Sequence, residues 1–103
     1  MSDSKKKVTR EQCNTLRDEH EVRLRDLAMS LLDEPLEADD VVRRTFRSLR
    51  RFEASDVGTG AEAAEWLTEY VVDECIERFA EMVQREHDAH AGVRRRTRRH
   101  RAA

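Results

Sequence analysis

EADDVVRRTFRSLRRF, residues 37–52, carries two messages on opposite sides of one helix. Its apolar members Ala38, Val41, Val42, Thr45, Phe46, Leu49 and Phe52 recur at three- and four-residue steps, the spacing that puts side chains on one stripe of an α-helix. That stripe has to face a core. Between its members stand Asp39 and Asp40 near the start and Arg43, Arg44, Arg47, Arg50 and Arg51 toward the end, an order that suits the helix dipole. Taken alone, such a charge order describes the solvated side of any bundle helix.

Outward from this helix, the chain is helical in pattern in both directions. On the N-terminal side, Thr9 and Gln12 have capping-box spacing, so a helix is expected to start there. Cys13, Leu16, His20, Leu24, Leu27, Ala28, Leu31 and Leu32 then form its apolar face. A histidine alone on such a stripe reads as a packing residue. Asp33-Glu34-Pro35 closes this helix and opens the next, because proline disfavours helix at the residue before it and suits a first turn. So short a connection predicts antiparallel neighbours.

On the C-terminal side, EASDVGTGA (residues 53–61) breaks the periodicity and reads as the one internal loop. Its two glycines lack the strand and the Lys-Ser or Lys-Thr of a phosphate loop. A third helix is expected from about Ala61 to about Glu86, on Ala64, Leu67, Val71, Cys75, Phe79 and Met82, with Trp66 beside the stripe as a core anchor or, alternatively, a stacking surface for a nucleic-acid base. His87 and His90 stand three apart with no third ligand, so no metal site and no cofactor is expected.

The chain has 103 residues, 41% of them charged, with three glycines and one proline. Those values predict a single all-α domain with a modest core, a compact three-helix bundle. The expected organisation is a disordered lead over residues 1–8, the helical domain over 9–86 and a basic, disordered tail over 87–103. In that tail Arg94, Arg95, Arg96, Arg98, Arg99 and Arg101 stand without an acid. Without these six, 14 basic residues face 22 acidic ones, a net charge of −8 for residues 1–93. A run of like charge of this kind is a candidate nucleic-acid contact, sequence-indifferent and salt-sensitive. No apolar run has signal-peptide or membrane-spanning character, and Cys13 and Cys75 stand far apart, which together predict a cytoplasmic protein with reduced thiols. No nucleophile, base and orienting group recur at a spacing that one helical face would assemble, so an enzyme is not expected.

Ala38-x-Asp40-x-Val42, two residues, then Thr45-Phe46, with LRDLAMSLLDEP before it and Trp66-Leu67 after it, resembles region 2 of bacterial RNA polymerase sigma factors, and within them the extracytoplasmic-function (ECF) class. The resemblance covers about Leu24 to about Met82, and its strongest matches are Asp40, Val41, Phe46, Trp66 and Leu67. It implies that Asp39, Asp40, Arg43, Arg44, Arg47 and Arg50 face the clamp coiled coil of the polymerase core or another partner. It also implies that Asp56, Gly58, Trp66, Glu69, Asp73 and Arg78 lie on the side that meets promoter DNA or a partner. The chain departs from the family at Arg43 and Arg44, where a glutamine and an acid are usual. A second departure is the set Glu69, Val72, Asp73, Ala80 and Glu81, where basic residues and an asparagine are usual. No helix-turn-helix follows before Ala103. Three readings stay open: a sigma region 2-like protein that binds polymerase, promoter DNA or both; a sigma-like module that binds an anti-sigma or other regulator; and a helical module of unrelated function.

Overall fold

The computed structural model describes residues 6–102, with side-chain surroundings through residue 89. The chain is all-α: three long helices, α1 (Arg10–Leu32), α2 (Pro35–Ser48) and α4 (Gly60–Ala102), pack as a bundle. A 3-10 turn, Leu49–Arg51, and a one-turn helix, α3 (Ala54–Val57), join α2 to α4.

The local signals set the helix ends. Thr9 caps α1 through its hydroxyl, which accepts from the Gln12 N–H at 3.1 Å, while the Gln12 side chain accepts from the Thr9 N–H at 2.9 Å. Asp33 terminates α1 in the left-handed region (φ 50°) and donates its N–H to the Met29 carbonyl at 2.8 Å. Pro35 then occupies the first turn of α2, where its missing N–H has no helical partner to lose.

Ala38, Val41, Val42, Thr45 and Phe46 are all buried, and Leu49 continues their stripe into the 3-10 turn. Thr45 is the one buried polar residue here, and its hydroxyl donates to the Val41 carbonyl at 2.8 Å. Opposite them lie Cys13, Leu24, Ala28 and Leu32 of α1, and Ala63, Leu67, Val71 and Cys75 of α4. Polar contacts define the directions. Arg23 of α1 donates to Thr68 Oγ1 at 2.8 Å and to the Ala64 carbonyl, and the N-terminal part of α1 lies beside Gly58–Gly60, so α1 and α4 run parallel. Antiparallel to both is α2, whose Asp39 meets Arg25 while Phe46 meets Cys13 and Arg17.

Four expectations are corrected. Leu31 is 42% and Phe79 53% exposed, not buried. Each stands about 100° around its helix from a residue that does face inward, Leu32 and Arg78, and the bundle covers only one side of α4 at that level. The segment 53–61 is not simply a loop, because α3 inserts the buried Val57 before Gly58 (φ 77°) and Gly60 (φ 54°) turn the chain into α4. Nor is the whole lead free. Val8 is buried, its N–H donates to the Phe52 carbonyl at 3.0 Å, and Lys6 accepts from Ala54 N–H at 2.7 Å. Residues 1–5 lie outside the described residues. The third long helix passes its expected end near Glu86, and its backbone continues to Ala102. Among the described residues no helix is long and apolar enough to cross a membrane.

Truncating Phe46 to alanine is expected to cost about 3–5 kcal/mol of stability, whereas Leu31→Ala should cost less than about 1 kcal/mol. Urea unfolding followed by circular dichroism measures both.

Candidate partner-binding face

With its apolar stripe buried, α2 turns its charged side outward, and the neighbouring helices divide those charges into two groups. The acids are engaged within the bundle. Asp39 accepts from Arg43 at 2.6 Å and lies 3.3 Å from Arg25. Asp40 accepts from Arg78 of α4 at 2.7 Å and lies 3.5 Å from Arg44. Arg78 also holds Glu37, at 2.5 Å, so one guanidinium fastens α4 to two carboxylates one turn apart on α2. Its side chain is only 13% exposed. The hydrogen bonds it donates to Glu37 and then to Asp40 push its ionisation further above the ordinary arginine range. The hydrogen bond from Arg78 holds the Asp40 carboxyl below its ordinary value of 3.8, against the opposing effect of burial.

The arginines toward the end of α2 are different. Arg47 and Arg50 converge with Arg43 and Phe46 on Arg10, Cys13, Asn14 and Arg17 of α1 to line a groove of about 370 Å³. Five arginines line it and no carboxylate does. Arg43 is turned toward Asp39, and the Arg17 guanidinium lies 5.4 Å over the Phe46 ring. Arg10, Arg47 and Arg50 have no ion pair among the described residues. The floor is closed by the Cys13 thiol, which donates to the Phe46 carbonyl at 3.3 Å. Both cysteines are unpaired and buried, and burial pushes the Cys75 thiol up, away from thiolate chemistry.

The residues assigned by resemblance to the DNA side do not come together. Gly58 lines a separate cleft of about 340 Å³ between α1 and the α3–α4 junction, whose lining includes Glu11 and Glu19 and no basic residue. Asp56 is exposed outside that cleft. Trp66 stacks on Tyr70, with ring centroids 5.2 Å apart, and meets Phe52 edge-on at 4.9 Å, which makes it a partly buried packing residue. Glu69 and Asp73 are exposed on α4, in line with Glu62, Glu65, Glu77 and Glu81, which are exposed too. Arg78, the basic residue of that set, is turned into the bundle. For Arg94, Arg95, Arg96, Arg98, Arg99 and Arg101 the described structure is the helical backbone alone. His20 packs against the bundle as a half-buried residue, and no group of three metal-ligating side chains occurs among the described residues.

Sequence reasoning missed Arg10 and Arg17. Their spacing of seven, with Asn14 between them, places all three on one face of α1, but only the antiparallel packing of α2 shows which face that is. No family model, no curated protein and no solved structure matches this chain.

Replacing Arg78 with methionine removes the shortest ion pair of both Glu37 and Asp40 and is expected to cost about 1.5–3 kcal/mol at neutral pH. Because the Asp40 pKa is lowered in the folded state, its contribution is fully present above 3.8 and is lost as pH falls through the lower folded value. The stability gap between wild type and Arg78→Met should therefore narrow on acidification below 3.8, a trend that urea titrations at a series of pH values would show.

Proposed function

We propose that this chain is a sigma region 2-like transcription protein that works by docking the arginine-lined α1–α2 groove on an acidic protein surface. That surface belongs to the RNA polymerase core or to a regulator acting on the transcription machinery. The observation that carries the reading is the asymmetry of charge. The groove gathers five arginines without a carboxylate, while the α4 face that would have to meet promoter DNA exposes Glu62, Glu65, Glu69, Asp73, Glu77 and Glu81. Carboxylates repel phosphates, so α4 is a poor promoter reader, whereas uncompensated arginines on a concave surface suit carboxylate partners through bidentate contacts.

Polymerase is the first reading because α2 combines the Ala38-x-Asp40-x-Val42 and Thr45-Phe46 pattern with an outward polar face. A regulator is favoured by Arg43 and Arg44, which reverse the charge usual at those positions. In either case the partner meets Arg47 and Arg50 directly, and Asp39 and Asp40 act by holding α2 in place.

Affinity capture from the native host with the full chain is expected to retain polymerase subunits or one small acidic regulator. Arg47→Glu with Arg50→Glu should weaken that capture at least about tenfold. Glu69→Lys with Asp73→Lys should leave it unchanged. Equal retention by the Arg47/Arg50 variant would rule out the groove. Sequence-selective binding of single-stranded −10-like oligonucleotides by a chain ending at Val93, read by fluorescence anisotropy in moderate salt, would overturn the exclusion of promoter reading.

A further inference from the structure

Beyond its contacts with the bundle, α4 carries features that the groove does not use. Ile76, Phe79 and Val83 are 61%, 53% and 49% exposed. At about 100° per residue they fall within an arc of about 60°, so they form one apolar ridge and not three scattered side chains. Among the described residues the last ion pair between α2 and α4 is Glu37 with Arg85 at 3.7 Å. From there α4 runs on to Ala102, which helps give the molecule its 73 Å long dimension against 30 and 18 Å across. A helical extension of this kind is not self-supporting. It holds arginines four residues apart, Arg94 with Arg98 and Arg95 with Arg99, and like charges at that spacing destabilise a helix.

We propose that the chain forms a homodimer in which α4 pairs antiparallel with α4 of a second copy. Phe79 of each copy packs against Val83 of the other, and the arginine-rich segment 94–101 of each runs along the carboxylate stripe of the other. Placing position 79 opposite position 83 fixes the register, because it also places 83 opposite 79. The contact is then two-fold and closed. In that register segment 94–101 lies beside residues 61–68, which include Glu62 and Glu65, and position 93 lies beside Glu69. A parallel pairing would set arginines on arginines and carboxylates on carboxylates. Within one chain the same charges cannot meet, since a continuous helix holds 94–101 away from its own residues 62–81.

A nucleic acid would neutralise the arginines but would leave the Ile76–Phe79–Val83 ridge in water, beside the exposed Glu69 and Asp73. A second copy supplies both an apolar ridge and a stripe of the right sign. This surface lies on α4 and is independent of the α1–α2 groove, so loss of either leaves the other standing.

Sedimentation equilibrium on the full chain in about 0.1 M salt is expected to give twice the 12.1 kDa monomer mass, with association weakening as salt rises. Phe79→Asp should raise the dimer dissociation constant at least about tenfold with the thermal unfolding of the bundle unchanged at concentrations where both chains are monomeric. Two charge variants, Glu65→Arg with Glu69→Arg, and Arg94→Glu with Arg98→Glu, should each self-associate at least about tenfold more weakly, yet form a heterodimer when mixed. That rescue is a readout that damage to the fold would not produce. For register, chains carrying Glu65→Cys and Thr97→Cys should cross-link to each other and not to themselves. A monomer at all concentrations, whether or not it binds nucleic acid, would overturn the proposal. So would self-cross-linking at position 65, or a dimer indifferent to Phe79→Asp and to the charge exchange.

Discussion

Burial of the α2 stripe is the constraint on which the other features rest. Val41, Val42, Thr45, Phe46 and Leu49 are enclosed between α1 and α4, and a helix so enclosed on one side has no freedom to rotate. Turning it by one residue would move Phe46 into water and bring an arginine into the core, a cost of several kcal/mol on either count. The rotational setting of α2 thus decides which of its charges meet neighbouring helices and which meet solvent.

From that setting the electrostatics follow. The acidic start of α2 falls against α4 and α1, where Arg78 and Arg25 receive it, and Arg78 becomes a clasp between helices instead of a surface charge. The basic end of α2 falls against the N-terminal half of α1, where it meets further arginines and no acid. α2 thus pairs its acids with neighbouring helices and leaves Arg47 and Arg50 gathered with Arg10 and Arg17 in a groove. The same logic applies along α4 with the sign reversed: its inner side is satisfied by the core and Arg78, and its outer side is left with carboxylates beside an apolar ridge.

Much of the architecture was legible in local chemistry. The Thr9–Gln12 capping box, Pro35 at the start of α2 and the three- and four-residue apolar steps act over one or two turns, so they read the same in a sequence as in a fold. Misreadings arose where burial depends on which side of a helix its neighbours cover. Leu31 and Phe79 have the spacing of core residues, but each stands about 100° around its helix from the residue that does face inward, Leu32 and Arg78. Val8 lacks any helical pattern and is buried all the same, in a segment whose backbone pairs Val8 with Phe52 and Lys6 with Ala54, positions more than forty residues apart.

By itself the sequence determined the all-α class, the starts of α1 and α2 and the amphipathic character of α2, because each depends on side chains within a few residues of one another. It also determined the division of charge between residues 1–93 and the arginine-rich end. Only the tertiary structure decided that Arg78 faces inward while Arg47 and Arg50 join Arg10 and Arg17, and that Trp66 belongs to an aromatic cluster with Phe52 and Tyr70. An ion pair or a groove between helices depends on which faces are turned toward each other. That orientation is set by packing the whole core, a quantity that no stretch of the chain contains.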